Sequence, residues 1–366
     1  MSERAAPSLS GVLGQDHAVA TLRAALSAGR VHHAWIFSGP QGVGKRTAAD
    51  AFAAALLDPS TGPTLSGELE PDPDSQVQRL IAQGSHPDLH VITKELARFS
   101  DDKKTRDRKL LTIPRQVIEE RLLRPIARAS SLPGGLAAKV FIVDEAELLD
   151  PSPRNAPVQN SLLKTLEEPP PGSVIILVTS AEEMLLPTIR SRCQRVVFGS
   201  LDRAAMEAWF KRSGLDVSGA EREWLMDFAG GSPGMAQRAV EGGMYEWSRT
   251  LEPMLASADR GSFTPGMGVT LAKLVDDWAQ GWVKAHENAS KEAANLAGTR
   301  HLLALLAERQ RRGLRAASGA AEKIDRDRVD RLLASLEAVE QAERHVAAHV
   351  PIAHAMERLA IALAAR

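Results

Sequence analysis

The sequence predicts an α/β protein: a parallel sheet around a phosphate loop, then a small helical domain, then an all-α bundle. Three observations predict it. Short apolar, β-rich runs alternate with helical stretches over roughly the first 200 residues. A glycine-rich turn, Gly39 to Gly44, follows the first of those runs and leads into a helix at Lys45. After about residue 200 the β-rich runs stop, and Ala/Leu/Arg/Glu-rich segments dominate from about 268 onward. Parallel strands need crossover connections, usually helices, so alternation of this kind implies a sheet covered on both faces. The composition shifts set domains at 1–199, 200–250 and 251–366.

Taken in order, the expected strands are 34–37, 89–92, 140–143, 174–178 and 196–198, with helices at 47–57, 114–128 and 158–168. Segment 58–78 is rich in Pro, Gly, Ser and acid and reads as a loop. The charge run 101–109 reads as a solvated loop rather than a phosphate contact. DPSPRNAP, 150–157, is a proline-rich loop, and Pro169-Pro170-Pro171 stops the helix before it. Past residue 200, LDRAAMEAWFKRSG and EREWLMDFAGG read as short helices. Leu332, Leu336, Val339 and Val346 keep roughly helical spacing in the last third.

Composition narrows the function classes. The chain has 366 residues, 44% hydrophobic and 25% charged, with a net charge of −1. No global basic field is available to attract nucleic acid, so DNA contact would come from a local patch or from partner chains. Cys193 is the single cysteine, which excludes an internal disulfide and a four-thiolate zinc site. The N-terminal MSERAAPSLSG lacks the apolar centre of a signal peptide, and no uninterrupted apolar run approaches the ~20 residues of a membrane helix. A cytoplasmic protein is expected, with no membrane association.

Gly39, Gly42, Gly44 and Lys45 fit the phosphate-loop pattern between a strand and a helix. Glycines let backbone N–H groups curl around phosphate oxygens, and the helix start and the lysine add positive charge. The next residue should be Ser or Thr, whose hydroxyl holds magnesium, but it is Arg46. Thr47 has the right chemistry, rotated about 100° around the helix. The run KVFIV ends in Asp144-Glu145, where a phosphate-loop ATPase uses an aspartate toward the metal and a glutamate toward the attacking water. The plainer alternative is a pair of helix-start acids after a buried strand.

The stretch NSLLKTLEEPPPGSVIILVTSAEEMLLPTIRSRCQRVVF, 160–198, resembles the bacterial DNA polymerase III clamp-loader branch of the AAA+ ATPases. GQDHAVATLRAAL, HHAWIFSGPQGVGK and GSHPDLHVI extend that resemblance over most of residues 10–200. It implies an AAA+ sheet domain, a helical lid and an all-α collar. It implies that Arg192, in Ser191-Arg192-Cys193, is an arginine finger for ATP held by a neighbouring subunit, and that Thr179 is a sensor-1 residue. It implies a hetero-oligomeric ring with gamma/tau-like motor subunits and a delta subunit. That ring would act with a sliding clamp and primed DNA. ATP with magnesium would be the cofactor of an intact site, with no zinc. Arg46 departs from the working pattern. So does Gly234 in GGSPGMAQRA (230–239), where motor subunits place a sensor-2 arginine and Arg238 lies further along. A weak or inactive ATPase follows, with an active motor subunit as the alternative; motor subunits often continue into a further domain, and this chain stops at 366. A phosphate-loop kinase fits 160–198 poorly. The insert 58–85 has no cysteine, whereas many relatives carry a four-cysteine zinc module there. The plainer alternatives are a surface ion pair for Arg192 and a strand-end hydroxyl for Thr179.

Other features read plainly. His32-His33 and His345/His349 lack a third metal ligand. Asn288-Ala289-Ser290 is a formal glycosylation acceptor without a secretory context. The six tryptophans suit core or interface anchoring better than base stacking. RQRRGLR, 309–315, reads as an exposed helix face before it reads as a phosphate contact.

Overall fold

A computed structural model describes residues 7–64, 67–107, 112–286, 290–319 and 325–365. Asn288 and Ala289 and the end of the 101–109 run lie outside these. The chain divides into two compact units, residues 1–215 with 231–233, and 216–230 with 234–366.

The first unit holds the expected parallel sheet of an α/β fold. Five strands, β1 (Ala34–Ser38), β2 (Leu89–Ile92), β3 (Lys139–Val143), β4 (Ser173–Thr179) and β5 (Gln194–Val197), form a parallel sheet in the order β2-β3-β4-β1-β5. Each expected strand is present. The last begins two residues earlier than its apolar run, because the backbone of Gln194 and Arg195 pairs with Trp35 and Ile36 whatever the side chains' polarity. β1, β3 and β4 are buried along their whole length, as strands covered on both faces must be.

The two faces split the alternate side chains of β1. Ala34 and Ile36 join a core with Phe141, Ile175, Leu177, Val117 and Leu162. Trp35 and Phe37 point the other way, onto Phe52, with ring centroids 5.2 and 6.4 Å apart. Phe52 comes from the helix that follows the glycine turn. Three helices frame this region: α1 (Asp16–Ser27), α2 (Lys45–Leu57) and α3 (Pro157–Glu167). α2 is buried almost all round, and its alanines both favour helix and let it lie close on the sheet.

Segment 58–78 is more ordered than its composition suggests. Gly62–Pro63 pairs antiparallel with Leu69–Glu70, and a helix starts at Gln76. The Ser75 hydroxyl caps that helix by accepting from the Gln78 amide. Asp58 organises the segment, accepting from the Ser60 amide and hydroxyl, the Ser75 hydroxyl and the Gln78 side chain. The expected helix at 114–128 is a helical stretch over 115–126 with a π turn at Glu119–Leu123. The run at 101–109 makes a helical turn, Lys103–Arg106, capped by Asp102. Helix α4 (Arg203–Ser213) lies after the sheet.

The second unit is helical. It comprises α5 (Gly219–Ala229), most of α6 (Pro233–Glu241), α7 (Met244–Asp259), α8 (Met267–Ala285), α9 (Lys291–Gly319), α10 (Arg326–Ala347) and α11 (Ile352–Ala364). The last four pack in a closed cycle, α8 on α9, α9 on α10, α10 on α11 and α11 on α8. The α8–α11 crossing is close at Gly268, where a Cβ would meet the Glu357 carboxylate at 2.1 Å. The arginines of 309–315 are tied into this unit: Arg309 pairs with Glu252 and Asp259, Arg315 with Glu308, and Arg312 with Asp227. Gly234 and Arg238 lie on α6 in this unit. No described helix is long and apolar enough to cross a membrane.

Candidate nucleotide loop and the opposite sheet end

The C-terminal ends of β1, β3 and β4 gather the phosphate-loop residues. β1 pairs with β4 so that Ser38 lies opposite Thr179, and β3 lies on the far side of β4. This is where open parallel sheets bind ligands. Gly39, Gly42 and Gly44 have φ of 145°, 77° and 101°, a region that disfavours side chains. At Gly39 a Cβ would also meet the Phe198 carbonyl oxygen at 2.1 Å.

Lys45 opens α2 and is 5% exposed. Its Nζ donates to the carbonyls of Gly39 and Pro40 at 2.6 and 2.5 Å and to Ser180 Oγ at 3.1 Å. Burial lowers its pKa, and the carboxylates of Glu147 and Asp144 partly oppose that shift. Two further groups hold the loop. Gln15 donates to the carbonyls of Val43 and Gly199 and accepts from the Gly199 amide. Ser232 donates to the Gln41 carbonyl at 2.8 Å.

Arg46 is bonded rather than idle. Its Nε donates to Asp50 Oδ1 at 2.9 Å and its Nη1 to Asp144 Oδ2 at 3.3 Å. Asp144, the residue expected to face a metal, is therefore already paired. Position 46 supplies no oxygen, so these residues do not suit magnesium, which wants an all-oxygen octahedral shell. Thr47 is exposed. Glu145 adopts a left-handed conformation with φ of 50° and pairs with Lys94 at 2.8 Å. Thr179 is 1% exposed, and its hydroxyl accepts from the Ala181 amide at 3.1 Å, so the strand-end hydroxyl role is met in this structure. Gly39, Gly42, Gly44, Lys45, Asp144 and Thr179 thus converge on one sheet end.

Arg192 does not join them. It lies just before β5, beside His32 and His33, which precede β1: the N-terminal ends of the same parallel strands. A groove there is lined by His33, Leu166, Glu167, Ser191, Arg192 and Cys193. Arg192 Nη2 pairs with Glu167 Oε1 at 2.6 Å, and Nη1 donates to the Thr188 carbonyl at 2.8 Å. The side chain is 35% exposed. Cys193 packs against the core, and burial pushes its thiol up to about 12, so it stays protonated and unreactive. The His32 and His33 rings stack at 4.4 Å and hydrogen-bond to the carbonyls of Ala34 and Leu166.

Sequence reasoning missed Lys94, Glu147, Glu167 and Asp50, the charged partners of the residues it singled out. No local pattern marks the first three. Asp50 had a signal, since Arg46 and Asp50 are four apart on a helix. No group of three metal-capable side chains occurs among the described residues.

Comparison with known proteins gives a consistent picture. The family model described as DNA polymerase III, delta subunit, matches residues 14–202. The DNA polymerase III subunit delta' of Pseudomonas aeruginosa is 29% identical over 288 residues, covering 76% of this chain and 79% of that protein. The gamma/tau subunit of Mycobacterium tuberculosis is 33% identical over 230 residues, covering 62% of this chain and 35% of that protein. The tau subunit of Escherichia coli is 30% identical over 303 residues, covering 83% and 40%. This chain thus spans 35% to 40% of those two longer relatives. A solved gamma subunit-related protein from Thermotoga maritima aligns over 95% of this chain and 98% of that one, with 17% identity and a TM-score of 0.44.

Proposed function

This chain belongs to the DNA polymerase III delta-subunit family of clamp-loader AAA+ proteins, and we propose that it is a delta-prime-like ring subunit, a weak or silent ATPase that lends an arginine to its neighbour. The observation that carries this reading is the separation of Arg192 from its own phosphate loop. They sit at opposite ends of parallel strands, and β1 alone is five residues long, about 15 Å at ~3.3 Å per residue. A guanidinium there acts on a phosphate only if another chain brings it.

In that reading a gamma/tau-like motor subunit docks against the groove with ATP in its own loop. Arg192 exchanges Glu167 for oxygens of the transferring phosphoryl group and stabilises the charge that develops there. Thr179, the last residue of β4, serves as sensor-1 between Asp144/Glu145 and the interface. Residues 200–250 form the lid, and 251–366 join a helical collar with the motor and delta subunits. The ring opens a sliding clamp and places it on primed DNA in the cytoplasm. The pairing of the 309–315 arginines within their own unit and the net charge of −1 support DNA contact made mainly through partners.

The test is ATP hydrolysis by the chain alone and in a complex with motor subunits, clamp and primed DNA, with wild type and Arg192→Ala. No hydrolysis alone, and a large loss in the mutant complex, is the expected result. The second reading, an active motor, is favoured by Lys45, Asp144 and Glu145. Hydrolysis by the chain alone that Lys45→Ala abolishes would replace the first reading with it.

A further inference from the structure

The residues around the phosphate loop disagree with the magnesium pattern in one particular way: a cation is already built in. Magnesium takes oxygen ligands at ~2.0–2.1 Å in a near-octahedral shell. Here Arg46 Nη1 stands 3.3 Å from Asp144 Oδ2, and its Nε bonds Asp50 Oδ1 at 2.9 Å. A guanidinium is permanently charged and recognises phosphate in a planar fork. It carries five N–H donors, and these two contacts use two of them.

We propose that the loop is a metal-independent site for a nucleoside diphosphate, with Arg46 as its resident cation. The cradle for the phosphates is in place: three glycines at positive φ, a helix start, and a lysine whose Nζ rests on the Gly39 and Pro40 carbonyls, contacts that a phosphate oxygen replaces. Charge sets the ligand class. Arg46 brings one positive charge where magnesium brings two. Around it, Asp50, Asp144, Glu145 and Glu147 face Lys45, Arg46 and Lys94. The acids outnumber the bases by one, so added negative charge is disfavoured, and a diphosphate, which carries less of it than a triphosphate, is the better match. Asp144, bound to Arg46, becomes an anchor for the guanidinium instead of a metal ligand.

The test is calorimetric titration of the full chain with ADP and with ATP, each in EDTA and in excess MgCl2, for wild type and Arg46→Thr. For wild type, the ADP dissociation constant should change less than about twofold between the two buffers, and ADP should bind more tightly than ATP in EDTA. Arg46→Thr restores the hydroxyl, and its ADP affinity should rise about tenfold or more when magnesium is added. A tenfold magnesium effect in wild type overturns the proposal, as does absence of ADP binding in both buffers. Should Arg46→Thr fail to fold, the wild-type comparison decides by itself. Arg192 lies at the other sheet end, so failure here leaves its assignment standing, and failure of that assignment leaves this site standing.

Discussion

Both ends of the sheet hold an arginine against a carboxylate, and the two pairs are built for different fates. Arg46 is gripped by two carboxylates from two elements, Asp50 on its own helix and Asp144 at the end of β3. Arg192 is held by one carboxylate, Glu167, and one carbonyl, on the rim of an open groove. Breaking the first separates one guanidinium from two carboxylates, although the two arginine side chains are almost equally exposed at 34% and 35%. Breaking the second returns two side chains to water, and exposed pairs contribute only ~0–1 kcal/mol. Each arginine has two anchors, and what differs is their charge: two carboxylates hold Arg46, whereas one carboxylate and one neutral carbonyl hold Arg192, the arginine proposed to be handed to a neighbour.

The largest effect should come from removing Arg192, the arginine proposed to act at a neighbour's site. Arg192→Ala should lower ATP hydrolysis at the partner's site by about 10³-fold, as trans-acting arginines do elsewhere. ADP binding by the isolated chain, measured by calorimetry, should be unchanged. Gly39→Ala breaks the other end. The added Cβ meets the Phe198 carbonyl at a φ that only glycine favours, so thermal unfolding should report a loss of about 3 kcal/mol or more. Asp150→Ala probes the support of the groove. Asp150 is 2% exposed, and its carboxylate accepts from the Val158 and Gln159 amides at the start of α3, the helix that ends in Glu167. Its loss should cost about 1–2 kcal/mol in denaturant unfolding. The smallest effect is expected of Glu167→Gln, below about 1 kcal/mol in stability because the pair is exposed. Partner hydrolysis should be kept or raised. A loss as large as that of Arg192→Ala would mean that Glu167 positions the arginine rather than parks it.

Much of the first unit was legible because its signals are local. Each strand is a short apolar run, and the loop's glycines, lysine and helix sit within a few residues of one another. The loop-like composition of 58–78 hid the helix at Gln76, which Ser75 caps by accepting from the Gln78 amide. The pairs that define the site were not legible. Arg46 finds Asp144, Lys94 finds Glu145 and Glu167 finds Arg192 across 98, 51 and 25 positions. One sequence contains many arginines and many carboxylates, and only the strand order β2-β3-β4-β1-β5 decides which meet. Arg46 accordingly read as a defect when taken alone, whereas in the fold it is paired with Asp50 and Asp144.

Asp58 carries a different consequence. Its carboxylate holds Ser60, Ser75 and Gln78, the hub of an insert without a cysteine. Burial pushes its pKa up, but the hydrogen bonds from Ser60, Ser75 and Gln78 pull harder, and the net shift is downward. The stability it lends is therefore complete above the ordinary aspartate range and fades as acidity passes its own lower value. A thiolate hub answers to zinc supply and to peroxide. This hub holds no thiol, so zinc supply and thiol oxidation do not act on it, and its carboxylate answers to acidity instead.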